Sequence, residues 1–492
     1  MISSVLFAGC TPEVACGIDG RILAVGPRAR DAAGRKAEVI RLKGTVWPGL
    51  IDSHIHLEGL ADAKLTLDLS GAASLMEALA RVKAWAKELP RGAWIVGSGW
   101  YNDVWPDPAF PTRHQLDAAT GRRPAYLRRK DGHSAWVNTE ALRHAGFDRS
   151  TVDPPGGSID RDELGEPAGI LRELAMQVVW EKVPRASDAE LDGAMASVLD
   201  DLAGLGLTAV HSMDSARGFG SLQRLRAKAE LPVRVTYNIP VADLGHAERI
   251  GLRSGWGDPT LRVWGVKAFL DGSLGSRTAE MLDGTGTARL GQSDLEEIAK
   301  RCAKAELNVC WHAIGDGAVR RALDALTPHR NAWPMWRPRI EHAQCVHPKD
   351  MARMARLGVI ASMQPIHAAT DREIADAHWA DVVQYAYAWR ALEKAGVRLA
   401  FGSDAPVETA DPIAGMAAAT IWRKQAKWHP ELALTQASAL RAYTSGAAYA
   451  AGMEDDAGAL RPGKLCDMTV IEAGYVATTV VGGRVTWRRK LA

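Results

Sequence analysis

The feature that most constrains this chain is an alternation repeated along most of its length, in which short apolar runs are separated by stretches of helical periodicity. Strands that read as apolar on both faces belong to parallel sheets covered by helices. Eight such runs stand out: GLIDSHIH, beginning at Gly49, then LTAVHSM (207–213), VRVTYNI (233–239), VWGVKAFLDG (263–272), LNVCWHAIGD (307–316), RIEHAQ (339–344), VIASMQP (359–365) and RLAFGSDAP (398–406). Spacers such as DLEEIAKRCAKAE (294–306) and HPKDMARMARLG (347–358) carry the helical pattern between them. Eight parallel βα units predict an α/β fold closed into a (β/α)8, TIM-like barrel.

Three stretches fall outside that alternation. Residues 1–47 and 457–492 consist of short β-branched runs punctuated by Asp-Gly, Ala-Gly and Gly-Gly turns, so the two chain ends are expected to form one small β-sandwich domain. The barrel then occupies 48–61 and 186–456. Residues 62–185, with strands of their own and Pro/Gly-rich loops (VWPDPAFP, VDPPGGS), read as an insertion after the first barrel strand, expected to lie over the active face. The opening MISSVLFAGC ends like a lipoprotein cleavage box, but no basic segment and no long apolar stretch precede Cys10, so it reads as a first strand.

Charge and cysteine content narrow the function classes. Lysine plus arginine number 60 against 58 acidic residues, a formal charge of +2, which gives no field to recruit nucleic acid or an anionic membrane. Small-molecule substrates are the expected partners, and a homodimer is an arrangement open to the chain. No run of about 18 uninterrupted apolar residues exists to span a bilayer. Six cysteines without CxxC spacing fit reduced thiols and a cytoplasmic enzyme, with Cys310 and Cys345 expected as small buried hydrophobes.

Barrel enzymes place their chemistry at the C-terminal ends of the strands. There the sequence offers His54 and His56 on the first strand, Lys267 on the fourth, His312 on the fifth, His342 on the sixth and Asp404 on the eighth. Residues two apart on a strand share a face, so His54 and His56 both point into the mouth and can grip one cation. Any one of these histidines alone reads as well as a core residue bonded to backbone. Four of them with a carboxylate, all at strand ends, point to a metal centre. Asp52 and Glu341 alternate outward and read as supporting residues.

The segments PGLIDSHIH, VKAFLDGSLGSRTAE, HAIGDGA, RIEHAQ, FGSDAPV and GALRPGKLCDMTVI resemble the amidohydrolase superfamily, and within it the YtcJ-like branch, often labelled amidohydrolase family 3. The insertion segments GWYNDVWPDPAFPTRHQLD, RPAYLRRKDGHSAWVNTEAL and GGSIDRDELGEPAGILRE are similar to that branch too, so the resemblance covers nearly the whole chain. It departs from the pattern at Cys466 and Ala168, where many relatives have alanine and threonine; neither is a proposed ligand.

The resemblance implies one or two divalent metal ions, most often Zn2+, with His54 and His56 on the more buried ion and His312 and His342 on the more exposed one. A protonated lysine cannot ligate a cation; the resemblance makes Lys267 a carbamate bridging the metals, against a plain lysine paired with Asp271 or with a substrate carboxylate. It makes Asp404 the general base and acid, against a helix-capping aspartate. Hydrolysis of a C–N bond of amide, N-acyl or N-formyl type follows, since the metal lowers the pKa of water toward about 7. Ester, lactone or carbamate hydrolysis in the same site is the alternative, and a catalytically silent binding protein a more remote one. From the insertion, His133 of the DGHS segment is a candidate for contacting the substrate or its oxyanion, with Asp131 beside it. Trp105, near Trp100 and Tyr101, is expected at an apolar pocket or in packing of the insertion itself, and Arg277 is a candidate for a substrate anion.

Overall fold

The computed structural model describes residues 4–130, 132–229 and 231–490. Eight parallel strands form its central sheet: Leu50–Ile55, Leu207–Ser212, Arg234–Pro240, Leu261–Phe269, Asn308–Ala313, Arg339–His342, Ile360–Met363 and Leu399–Phe401. Each is hydrogen-bonded to the next in chain order. Most are buried along their entire length, as expected of strands with side chains inside and helices outside. The covering helices form where the sequence repeats apolar residues at three- and four-residue steps. Gln292–Ala305 buries Leu295, Ile298, Ala299 and Cys302. Pro348–Leu357 starts on the His347 cap with proline at its first position and stops at Gly358, whose φ of 69° suits glycine.

The structure departs from the expected strand lengths most at the eighth strand, where only Leu399–Phe401 of 398–406 is extended. Beyond Phe401 the chain turns to the first strand. Ser403 N–H donates to Asp52 Oδ1 (3.1 Å), Asp404 N–H to the His54 carbonyl (2.7 Å), and His56 N–H to the Ala405 carbonyl (2.9 Å). These bonds take the place of a regular ladder between the last and first strands of a (β/α)8 barrel. Gly402 makes the approach possible, because a Cβ there would lie 2.5 Å from both Asp52 Oδ1 and the His54 nitrogen.

A seven-stranded sheet joins the two chain ends. Its order is Arg484–Arg488, Tyr475–Val481, Met468–Glu472, Glu38–Pro48, Ser4–Thr11, Val14–Gly17 and Ile22–Val25. One face packs Phe7, Val14, Cys16 and Ile22 with Cys466, Met468, Val470 and Val480; the other sets Leu6, Ala8 and Ala15 against the helix Ala29–Ala33. The small sandwich of both termini is therefore present. It clusters with the barrel as one compact unit, Met1–Leu60 with Met195–Ala492.

Ala61–Ala194 is a second compact unit with its own six-stranded sheet. Parallel strands Leu67–Asp68, Ile95–Trp100 and Ala125–Arg129 continue into an antiparallel set, Ser134–Val137, Pro167–Glu173 and Gly157–Arg161. Among the described residues no helix is long and apolar enough to cross a membrane. All six cysteines are free and buried.

Candidate active site

The residues expected at the strand ends converge at the mouth of the barrel. His54 is fully buried; its Nδ1 lies 2.7 Å from Glu341 Oε2, while its Nε2 lies 3.2 Å from Lys267 Nζ and 3.3 Å from Asp404 Oδ1. His56 Nε2 lies 3.2 Å from the same Asp404 oxygen. Ring centroids place His342 4.8 Å from His54 and 4.4 Å from His312. The structure thus brings together His54, His56, Lys267, His312, His342 and Asp404.

Backbone geometry presents two of these groups. His342 (φ 72°), Ala343 (φ 43°) and Asp404 (φ 60°) are non-glycine residues in the left-handed region. Each costs on the order of 1–3 kcal/mol, strain that clusters at functional sites. At Asp404 it is held by the bond from its N–H to His54, and at Ala343 by N–H donation to the Ala313 carbonyl (3.0 Å).

Charge follows from burial and partners. Burial alone would raise the Asp404 carboxyl, but the His54 and His56 imidazoles outweigh it and hold the group well below the usual carboxylate range. Burial likewise works against ionised Glu341, and is overcome by Arg339, whose Nε lies 2.8 Å from Glu341 Oε1, and by His54. Burial, with Lys267 nearby, lowers His312 to about 3, and burial lowers His342 well below its ordinary value. Both are neutral rings. Burial also lowers Lys267, toward the uncharged amine.

Hydrogen-bond partners assign the ring hydrogens, and with them the nitrogens left to bind a cation. His312 Nε2 sits 2.9 Å from the Gly272 carbonyl, which only accepts, so the ring hydrogen is on Nε2 and Nδ1 carries a bare lone pair. That Nδ1, and His342 Nδ1, are buried without a hydrogen-bond partner. Glu341 takes the Nδ1 hydrogen of His54, so a neutral His54 turns its Nε2 lone pair toward Lys267 Nζ (3.2 Å) and Asp404 Oδ1 (3.3 Å). The donor atoms of His54, His56 and Asp404 lie within 4.8 Å of one another, as do those of His342, His367 and Asp404. Imidazoles and a carboxylate at such spacing form a set that fits a divalent transition metal.

Asp52 and Glu341 act through His54: Asp52 Oδ1 accepts from the His54 and Ser403 N–H groups, and Glu341 fixes the His54 ring. Asp271 does not pair with Lys267. It accepts from the backbone N–H groups of Ile314, Gly315 and Glu280, and burial pushes it up to about 6. Cys310 is fully buried, with its thiol pushed up to about 12 by burial.

The substrate candidates from the loops fare differently. Trp105 is 5% exposed in the core of the Ala61–Ala194 unit, its Nε1–H donated to the Ala72 carbonyl and its ring 6.2 Å from Trp100. Of the two expected roles it takes internal packing, because an indole with its polar atom satisfied inside a core offers no surface to a ligand. The His133 side chain is 69% exposed and pairs with Glu173 (2.9 Å). Arg277 lies on an exposed loop with φ 58°. Asp131 lies outside the described residues.

Sequence reasoning missed His367 and Arg339. His367 opens the helix His367–His378 after the seventh strand, and the first turn of a helix falls outside a search confined to strand ends. The sequence signal was its place two residues past the predicted strand 359–365, in QPIH. Arg339 is fully buried beneath the site, donating to Ser53 O (2.5 Å), Ser362 Oγ and Glu341, and to His211 Nδ1 (2.8 Å).

The family comparison decides the kinship. The model of the amidohydrolase family (Amidohydro_3) matches residues 38–487. The chain belongs to the amidohydrolase family. It is 31% identical to the amidohydrolase YtcJ of Bacillus subtilis (strain 168), covering 92% of this chain and 91% of that protein. It is 28% identical to the N-substituted formamide deformylase of Arthrobacter pascens, covering 92% and 88%. Among solved structures, a metal-dependent hydrolase from Pyrococcus furiosus superposes with a TM-score of 0.76 at 29% identity, over 94% of this chain and 96% of that one. This amidohydrolase is therefore a hydrolase of a metal-dependent kind.

Proposed function

We propose that this amidohydrolase cleaves a C–N bond of amide, N-acyl or N-formyl type. One observation carries the reading: the Asp404 carboxylate meets His54 Nε2 (3.3 Å) and His56 Nε2 (3.2 Å) at the barrel mouth, where His312 and His342 keep buried Nδ1 atoms without a hydrogen-bond partner. The likeness to an N-substituted formamide deformylase supports the bond type. The six buried free thiols fit a reducing, cytoplasmic setting.

His54, His56, His312 and His342 would hold one or two divalent cations, with zinc the metal suited to imidazole and carboxylate donors. Lys267 would join them as a carbamate. Its buried amine is shifted toward the neutral form that adds to carbon dioxide, giving the N-carboxylate and releasing one proton. When bound, the cation supplies Lewis acidity, lowering the pKa of water and polarising the scissile carbonyl.

The remaining steps belong to the chain. Asp404 takes a proton from the attacking water on a carboxylate oxygen and returns it to the leaving nitrogen as the C–N bond breaks. Glu341 and Asp52 keep the His54 ring and backbone from rotating during both transfers. Asp404→Asn preserves shape but cannot accept the proton. Metal content should stay at the wild-type level while kcat on N-butylformamide or N-butylacetamide falls about 10²–10⁴-fold. Near-normal turnover in that variant, or full activity in metal-stripped wild type, overturns the reading. Butyl acetate in the same panel separates amide from ester hydrolysis.

A further inference from the structure

His367, grouped above with His342 and Asp404, has no role in the mechanism described so far. It is 7% exposed, and its Nε2 is buried with no hydrogen-bond partner, 3.9 Å from Asp404 Oδ2. Its ring centroid lies 6.3 Å from that of His342. On its other edge the Gln344 amide Nε2 lies 3.4 Å from His367 Nδ1. An amide nitrogen only donates, so Nδ1 accepts and the ring hydrogen sits on Nε2. This is the opposite of His312, where the hydrogen bond leaves a bare lone pair facing the site. His312 is prepared to bind a cation; His367 is prepared to donate.

We propose that His367 is a catalytic residue that donates its Nε2–H to the substrate carbonyl oxygen and to the oxyanion formed from it. The inference rests on the reading of the site as an amide-hydrolysing centre and adds a residue to it. When water adds to the carbonyl carbon, the C=O π electrons move to oxygen and Asp404 takes the water's proton. The His367 N–H hydrogen bond meets that new charge without transferring a proton. On collapse the carbonyl re-forms, the C–N bond breaks and the Asp404 proton goes to nitrogen. His367 ends as it began. The Gln344 bond fixes the ring and its tautomer, and the helix start at His367 fixes its position, so the donor is in place before substrate arrives.

The test compares wild type, His367→Ala and His367→Gln, the last of which keeps an amide N–H in place of the imidazole one. Three readouts are taken on zinc-loaded protein: zinc content, kcat and KM on N-butylformamide, and the affinity for formate, whose carboxylate probes the same donor without turnover. The expected result for His367→Ala is unchanged zinc content, a 10²–10³-fold fall in kcat with KM within a few-fold, and formate binding at least tenfold weaker. His367→Gln should recover part of each loss. Loss of zinc in His367→Ala would make the residue a ligand and overturn the proposal. Unchanged kcat and formate affinity would reduce it to packing, with the same effect. If wild type hydrolyses no amide while formate binding still depends on His367, amide hydrolysis fails and the donor assignment stands.

Discussion

Glu341 touches no substrate in this scheme, yet the state of the first ligand depends on it. Its Oε2 takes the His54 Nδ1 hydrogen at 2.7 Å, and both of its oxygens face the Arg339 guanidinium inside the barrel. Glu341→Gln is predicted to lower zinc affinity about 10–100-fold, the usual effect of losing a carboxylate behind a histidine ligand. It also leaves the Arg339 charge buried and underpaired, at a cost of about 3–5 kcal/mol. Competition against a zinc chelator measures the first effect and urea unfolding the second; a variant with wild-type zinc affinity would remove Glu341 from the site. Trp105 makes the contrasting case. If its indole is core, Trp105→Ala costs about 3–5 kcal/mol of stability in the Ala61–Ala194 unit. A large rise in KM with an unchanged unfolding curve would restore it to the pocket. At this scale the sequence showed His54, His56, Lys267, His312, His342 and Asp404 because each lies at or just past a strand end. It did not show His367 or Arg339, since one begins a helix and the other points below the mouth, where no periodic pattern announces chemistry.

The strands themselves were legible because burial on both faces writes continuous apolar runs, which survive whatever the loops do. Where they stop was not legible. RLAFGSDAP reads as one extended run, and nothing local says that three hydrogen bonds, two between backbones and one to the Asp52 side chain, pull the chain away after Phe401 toward the first strand and His56. That departure sets the geometry on which the proposed catalysis rests, because it turns Asp404 back onto His54 and His56. Gly402, just past the eighth strand, packs its backbone directly against Asp52 and His54 of the first. Gly402→Ala would place a methyl 2.5 Å from Asp52 Oδ1 and from the His54 nitrogen, and neither atom is free to move without breaking its own bond. The predicted cost is about 1–3 kcal/mol of stability. The predicted loss of kcat is larger, about 10²-fold, because misplacing a reacting group by about 1 Å suffices for that. Thermal unfolding and steady-state kinetics on the same preparation separate the two, and a variant with normal kcat would show that closure of the barrel does not position Asp404.

Across the whole molecule, the two chain ends do more than cover one another. Thr469 Oγ1 donates to the Gly206 carbonyl and Thr479 Oγ1 to the Ala203 carbonyl, so the C-terminal strands satisfy backbone acceptors where the helix Asp188–Gly204 ends. Leu50 N–H donates in turn to Thr469 Oγ1, which ties the start of the first barrel strand to the same place. The strongest link is electrostatic. Arg234, at the start of the third barrel strand, meets Asp467 in a two-pronged contact (2.7 and 3.0 Å), with both side chains at least nine-tenths buried. Asp467 also accepts from Gly482 N–H, so one carboxylate joins the barrel, the entry to the C-terminal strands and a turn between them. Removing it takes the charge partner from the buried Arg234 guanidinium and the acceptor from the Gly482 N–H together. Asp467→Ala is therefore predicted to destabilise the barrel and the terminal sheet as one unit by about 3–5 kcal/mol, with a single unfolding transition retained for the pair. On the proposed reading of the site, zinc added in excess should recover part of that loss by mass action, since the site would form only when the barrel is folded. Separate melting of the terminal sheet at a temperature where the barrel still binds zinc would show that the ends are an independent domain and that the Arg234 contact is dispensable.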